Sequence, residues 1–509
     1  MSNELRKLVA WAEQHPYFSA VSLFLLARLV IVIFSSGEIY RTNEEMLFST
    51  MALERMRGNP LMSQNLFGSF LTGGPWLVSY LYIPLIKLVG CTRMVNKIMA
   101  LLFSTVGFVG FLAVARNFFP KRTATIFTLL FIFVPPIALM AQTISLCNHQ
   151  ELIAFFGPAL FLLFYLLFRP VHKLTHTLLL PFLLFATASL AVFFGYLAVI
   201  FFIFICLFMP IVFFRQIKAV GFWSLLTLPA TMLGSSVGLL AISTLRASSK
   251  HEFFGYYGTR SDVSGVVESM LVNLDVGGIG HLAAFFTQVL PRMFGFRFDV
   301  FNYLMYLLTV VCVIYWLALL VHLSVKRFQS RRSRDSSDAS PRSFLLGPVV
   351  LCVFIMFFIL PFSCRSIAGY TKNIALFGEV QLNFRVFYRL SPLFPFLSLI
   401  IAATLNRWLS HEKWAKAAKA CFIIVIAIGL CAGAQMMGTV TPFNNYGMNY
   451  ETCDNYGVLT LSILEGIQVH QLSPEQTSTL LRQHLMSLDP THRKEIQETL
   501  EMRGEYSFP

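Results

Sequence analysis

Three clusters of ionisable and polar residues have types and spacings that support chemistry. The first is Gly37-Glu38-Ile39-Tyr40-Arg41-Thr42-Asn43-Glu44-Glu45, where Glu44 and Glu45 are adjacent carboxylates at the start of a predicted helix. A carboxylate so placed can take a proton from an incoming hydroxyl. Acidic residues also complement a helix N-terminus with no catalysis involved. The second cluster runs from Gln142 to Glu151, with Asn148, His149 and Glu151 suited to hydrogen-bond the hydroxyls of a ligand. A capped turn with Glu151 near a helix start accounts for it equally well. The third contains Arg365, Lys372, Glu379, Arg385 and Arg389. Arg385 and Arg389 are four apart and share a face if helical. Guanidinium forks suit a phosphate at a lipid interface, while snorkelling against ordinary anionic headgroups explains the same residues. Arg28 lies inside an apolar run, where a charge is functional or paired by default; the sequence does not name its partner.

Other signatures of chemistry are missing from the sequence. It has no glycine-rich phosphate loop, no zinc-ligand spacing and no serine or cysteine nucleophile elbow.

The elements that must position these clusters are membrane-spanning helices. The chain has 509 residues, of which 56% are hydrophobic, 52 are phenylalanine and only 13% are charged. Apolar runs of about 20 residues match the ~30 Å hydrocarbon core of a bilayer. Such spans must satisfy their own backbone hydrogen bonds, which makes them helices; the short alternating segments of a β-barrel are missing. The fold class expected is therefore all-α, a polytopic integral membrane protein with about 11 transmembrane helices. Spans are predicted at 17–36, 94–115, 124–144, 151–168, 177–193, 195–214, 219–244, 302–324, 344–362, 390–405 and 420–437. No cleavable signal peptide is evident, because the first apolar stretch lacks a small-residue cleavage site.

Segment 75–90 is ambiguous, being short, interrupted by Pro84 and charged at Lys87. Charge decides it. If 75–90 does not cross and the N-terminus is cytoplasmic, the inside segments are 1–16, 116–123, 169–176, 215–218, 325–343 and 406–419. They hold 19 Lys or Arg against 5 Asp or Glu, and everything else holds 20 against 20. The whole formal charge of +14 then lies on one side, as the positive-inside rule requires. Counting 75–90 as a span would put Lys326, Arg327, Arg331, Arg332 and Arg334 outside. The basic excess is thus a topology signal, and nucleic-acid binding, which needs a basic soluble face, is not expected.

The expected organisation is a transmembrane domain over 1–437 with outer loops at 37–93, 245–301 and 363–389. A small helical extracytoplasmic region follows over 438–509, with helix starts at Ser473-Pro474-Glu475-Gln476 and Asp489-Pro490. Of nine cysteines, Cys206, Cys312, Cys352, Cys421 and Cys431 lie in apolar runs and read as small buried hydrophobes. Cys91, Cys147, Cys364 and Cys453 fall outside, and their spacing does not decide a pairing.

The clusters fall in an order that resembles the GT-C superfamily of polyprenyl-phosphate-sugar glycosyltransferases. The nearest likeness is to bacterial relatives of protein O-mannosyltransferases and aminoarabinose transferases (glycosyltransferase family 39-like). Those proteins carry Asp-Glu in the first outer loop, an alanine about eight residues on and a glycine before a proline; here Glu44-Glu45, Ala52 and Gly58-Asn59-Pro60 match that layout. Gly73-Gly74-Pro75-Trp76 matches a Gly-Pro-rich juxtamembrane helix. Ala115-Arg116-Asn117-Phe118-Phe119-Pro120-Lys121-Arg122 matches the turn after the second span, and Tyr388-Arg389-Leu390-Ser391-Pro392-Leu393-Phe394-Pro395 resembles the late segment that opens a span. The likeness covers residues 17–405 in short, degenerate motifs.

That resemblance implies a glycosyltransferase with a polyprenyl-phosphate sugar donor, membrane lipids around it, and a glycan, lipid or protein acceptor. The family's catalytic base is the first-loop aspartate; by position the role falls on Glu44, longer by a methylene, with Glu45 as the fallback. Arg385, Arg389 and Lys372 would hold the donor phosphate, and Asn148, His149 and Glu151 the sugar. Some relatives use a divalent cation, but no ligand cluster here argues for a metal site. The expected location is a bacterial inner membrane, with the N-terminus cytoplasmic and the C-terminus periplasmic. The alternatives are a non-catalytic scaffold of the same fold and a secondary transporter or lipid permease. Transporters show paired halves and charges near the bilayer midplane, whereas here the charges gather at the outer face and no repeat is visible.

Overall fold

A computed structural model describes residues 11, 14–34, 43–56, 73–90, 93–145, 150–169, 174–195, 198–248, 283–296, 298–332, 346–363 and 388–437, together with scattered positions between 475 and 494. Helix makes up 93% of it, and no strand occurs among the described residues. The protein is a polytopic helical membrane protein.

Its helices are α1 (Pro16–Phe34), α2 (Asn43–Met56), α3 (Gly73–Val89), α4 (Arg93–Phe118), α5 (Lys121–Ile132) and α6 (Pro136–Ala141). Next come α7 (Ile153–Phe168), α8 (Leu174–Phe194), α9 (Ala198–Val220) and α10 (Thr227–Ser248). Further along the described residues are α11 (Asp299–Arg332), α12 (Gly347–Ser363), α13 (Phe394–Leu409) and α14 (Glu412–Met437). Eight continuous helical stretches among the described residues are long and apolar enough to cross a membrane. One of them, Ala198–Ala241, comprises the two expected spans α9 and α10, joined by a 3-10 turn at Gly221–Leu226. Gly221 opens that turn with φ +61, a backbone conformation that favours glycine. The two other expected spans are the 17-residue α12 and the broken pair α5–α6.

The break follows from composition. Pro135 and Pro136 have no N–H to donate and their rings oppose a continuous helix, so α5 ends at Ile132 and α6 restarts with Pro136 in its first position.

Side-chain pairing fixes the relative directions. Tyr17 meets Arg116 and Asn117, and Phe24 stacks near Phe108, so α1 and α4 run antiparallel. Gly107 faces Ile153 and Gly110 faces Gly157 and Pro158, so α4 and α7 run parallel. Gly234 faces Phe182 and Gly238 faces Ser189, so α8 and α10 run parallel and in direct contact, with α9 connecting them along the chain. At these glycines a Cβ would strike the neighbouring helix, the small-residue contact that membrane helices use to approach closely. The α1–α4 direction agrees with the charge distribution, because a single further crossing at 75–90 would make α1 and α4 run parallel. Helix α3 packs against α2, α4, α8 and α10.

The centre of the bundle is α13, buried along nearly its whole length. Phe396 anchors it against Phe111 of α4, Phe156 of α7 and Phe201 of α9 at centroid distances of 4.9, 6.2 and 5.9 Å. Near the basic end, the Trp316 indole N–H donates to the Thr404 hydroxyl at 2.8 Å, tying α11 to α13. The expected C-terminal region 438–509 lies outside the described residues apart from scattered helical positions. Cys312 and Cys352 are buried as expected, but Cys206 and Cys431 face outward from their helices. On a membrane helix that surface meets lipid, which a small apolar side chain tolerates as well as a core. Cys91, Cys147, Cys364 and Cys453 lie outside the described residues.

Candidate functional site

Helix α2 carries the first cluster. It buries Phe48, Ser49, Met51 and Ala52 and packs against α3 and α4. Ala52 is fully buried, so a larger side chain at that position would push α2 off its neighbours. The Arg55 guanidinium lies 3.9 Å from the centroid of the Tyr80 ring of α3. Burial pushes the Arg55 guanidinium below its usual range, and the neighbouring Tyr80 acts in the opposite sense. Glu44 and Glu45 fall in the first turn of α2. By register, Glu44 shares a helix face with Phe48, Met51 and Arg55; the positions of the two carboxylates lie outside the described residues.

The second cluster is a buried junction. Gln142 caps the C-terminal end of α6, and Gln142, Thr143, Ile144 and Ser145 are all buried. The chain re-enters as a 3-10 turn, Gln150–Leu152, which runs into α7. Glu151 is 2% exposed and Gln150 1%, deep for residues in a connecting segment. Asn148 and His149 lie outside the described residues. The Ser104 hydroxyl of α4 donates to the Gln142 carbonyl at 3.3 Å, which ties the junction to the middle of α4.

The third cluster is represented by one position. Arg389 belongs to the 3-10 turn Tyr388–Leu393 that leads into α13, though its side chain is outside the described residues, as are Lys372 and Arg385 altogether. Leu390, Ser391 and Leu393 of that turn are buried.

The fold brings the second and third clusters together. The Gln150–Leu152 turn packs directly against Tyr388–Leu393, and α6 packs against the same turn. Helix α4 contacts both the Gln150–Leu152 turn and α2, so it stands between the second cluster and the first. All of this lies at the end of the bundle opposite the turn between α4 and α5, where Arg116, Lys121 and Arg122 are found.

Four residues of this region escaped the sequence reading as candidates. Asn96 and Lys97 are buried near the start of α4, in a stretch that reads from the sequence as an ordinary span beginning. Gln142 precedes the predicted ligands Asn148, His149 and Glu151, and Gln150 lies between the last two. The Gln150 side chain has no hydrogen-bond partner at either Oε1 or Nε2 among the described residues, and Gln142 has none at Nε2. A buried amide left in that state costs about 1–3 kcal/mol. The signal that could have found the two glutamines is polar density: most of the ten residues from Gln142 to Glu151 are polar, in a chain dominated by apolar runs.

Among the described residues no group of three His, Cys, Asp or Glu is placed to hold a metal ion. The carboxylates of Glu44 and Glu45 are outside that set.

No protein-family model matches the chain, and no curated protein does. Among solved structures, similarity is found to the archaeal oligosaccharyltransferase AglB from Archaeoglobus fulgidus in complex with an inhibitory peptide and a dolichol-phosphate. The TM-score is 0.48 at 14% identity, over 92% of this chain and 60% of that one. The Archaeoglobus fulgidus oligosaccharyltransferase in complex with Zn and sulfate gives a TM-score of 0.46 at 15% identity, over 89% of this chain and 57% of that one. Its apo form gives 0.44 at 13% identity, over 91% and 60%. This chain thus spans less than two thirds of the length of those proteins, and TM-scores below 0.5 at such identity do not establish a common fold.

Proposed function

We propose that this protein is a membrane glycosyltransferase that moves a sugar from a polyprenyl-phosphate donor to an acceptor hydroxyl on the extracytoplasmic face. One observation carries the reading. The buried polar turn Gln150–Leu152 packs against Tyr388–Leu393, at the end of the bundle away from the basic loops. A hydroxyl-binding segment and a phosphate-binding segment, far apart in the chain, thereby share one place beside the spans. The positive-inside rule makes the basic end cytoplasmic, which puts this place outside, and a bacterial inner membrane accommodates the arrangement.

The chemistry is a single displacement. Glu44, or Glu45 in its stead, takes the proton of the acceptor hydroxyl. The acceptor oxygen forms a bond to the anomeric carbon while the bond from that carbon to the donor phosphate oxygen breaks. The electron pair leaves with the polyprenyl phosphate, whose negative charge Arg385, Arg389 and Lys372 stabilise. Asn148, His149 and Glu151 hold the sugar hydroxyls. A divalent cation, where bound, would supply further charge for the departing phosphate.

The test is transfer of radiolabelled sugar from a panel of polyprenyl-phosphate donors, comparing wild type with Glu44→Gln and Glu45→Gln at matched membrane levels. Loss of transfer in Glu44→Gln alone, with donor binding retained, supports both the activity and the base. Absence of transfer and of donor binding in the wild type would sink the reading. It would favour the non-catalytic scaffold, to which the glutamate at the family's aspartate position already lends weight.

A further inference from the structure

Arg28 stands about two thirds of the way along α1 and is 1% exposed. Its guanidinium makes four hydrogen bonds. Nε donates to Gln142 Oε1 at 2.8 Å, and one terminal nitrogen donates to the same oxygen at 2.5 Å. That nitrogen also donates to the Phe131 carbonyl at 3.0 Å, and the other donates to the Ile132 carbonyl at 2.8 Å. The Phe24 ring lies 4.8 Å away.

Each contact has a reason in the sequence. In a continuous helix the carbonyls of Phe131 and Ile132 would accept from the N–H groups of residues 135 and 136. Both of those are proline, so both donors are missing. Arg28 supplies the two donors that Pro135 and Pro136 removed, and its positive charge sits at the negative end of α5. The opposite edge of the guanidinium reaches over the break to Gln142, the residue that closes α6. Helix α6 is thus held at both ends, since the Ile137 N–H near its start donates to the Phe294 carbonyl at 3.3 Å.

The clamp also orients an amide. A guanidinium has donors and no acceptor, so Gln142 must turn its oxygen toward Arg28. Its nitrogen then faces away, buried and without an acceptor among the described residues. We propose that Arg28 is a positioning residue: it locks Gln142 so that Nε2 is presented as a hydrogen-bond donor to an oxygen of the sugar-phosphate donor. The donor part of this inference rests on the glycosyl-transfer reading above; the clamp itself does not.

Two readouts on the full-length protein in detergent or nanodiscs test it. Hydrogen exchange over residues 137–145, measured with no ligand, reports the clamp. Arg28→Lys loses the fork and should speed exchange there about tenfold, with little change in α8 and α10. Gln142→Glu keeps an acceptor for Arg28 but has no amide N–H. It should leave exchange as in wild type while raising KM for the polyprenyl-phosphate donor about tenfold. Gln142→Met loses both and should show both effects. Unchanged exchange in Arg28→Lys, or acceleration spread evenly over the bundle, overturns the clamp. Wild-type KM in Gln142→Glu overturns the donor role. A wild type that transfers no sugar removes the donor role along with the reading of the site, and the exchange experiment still decides the clamp.

Discussion

A buried glutamine whose amide meets no partner has two readings with opposite consequences for stability and for function. Among the described residues Gln150 is such a residue. Replacing it by methionine, which keeps its length, removes a polar group that meets no hydrogen-bond partner among them. Stability in detergent is expected to rise by about 1 kcal/mol, read as a higher midpoint of thermal unfolding. Sugar transfer by the same variant is expected to fall, because the ligand loses an amide that the fold had kept available. A lower midpoint for Gln150→Met would mean that the amide is already satisfied in the membrane. Glu151 contrasts with it: the same turn buries a carboxyl beside an amide, so Glu151→Gln tests whether charge or only hydrogen bonding is needed there. Donor affinity surviving in Glu151→Gln would assign it hydrogen bonding alone.

Among elements, the broken span and the glycine contacts make separate predictions. Restoring the missing N–H groups with Pro135→Ala and Pro136→Ala together should make Arg28 partly redundant. The loss of stability caused by Arg28→Met should then be smaller in that background, by about 1–3 kcal/mol of coupling. Equal losses in both backgrounds would show that the prolines and the arginine act independently. Between α8 and α10, the Ser189 hydroxyl donates to the Gly234 carbonyl at 3.0 Å and accepts from the Gly238 N–H at 3.1 Å. A Cβ at Gly238 would clash with the Ser189 carbonyl oxygen. Gly238→Val should therefore cost about 1–3 kcal/mol or more, visible in thermal unfolding. Gly433, where a Cβ meets nothing within 4 Å, serves as the tolerant control for an alanine substitution.

For the whole molecule, the prediction concerns sides. If α3 does not cross, an impermeant maleimide should label Ser63→Cys and Thr92→Cys from one side of the membrane and Ser337→Cys from the other. The background would lack the native cysteines. Labelling of Ser63→Cys and Thr92→Cys from opposite sides would refute the eleven-span arrangement. The same experiment in sealed inverted vesicles tests whether the basic side is cytoplasmic. Electrostatics gave this topology from the sequence, because the distribution of Lys and Arg between loops is a property of the chain and not of its packing. The antiparallel α1–α4 pair reaches the same parity from contacts between side chains.

Length and polarity of the apolar runs determined the spans by themselves, since a bilayer admits no other spanning solution for continuous apolar segments. They also placed the Gln142–Glu151 turn and the segment before α13 at one membrane face. What the sequence did not determine was proximity. That Gln150–Leu152 rests on Tyr388–Leu393 is a long-range pairing with no local signature. Arg28 shows the boundary most clearly. A charge inside a span required a partner, and two adjacent prolines required donors for two carbonyls, yet the residues lie about a hundred positions apart. Each need was legible in the sequence. Only the tertiary structure could show that one guanidinium meets both, and that Gln142 completes the arrangement.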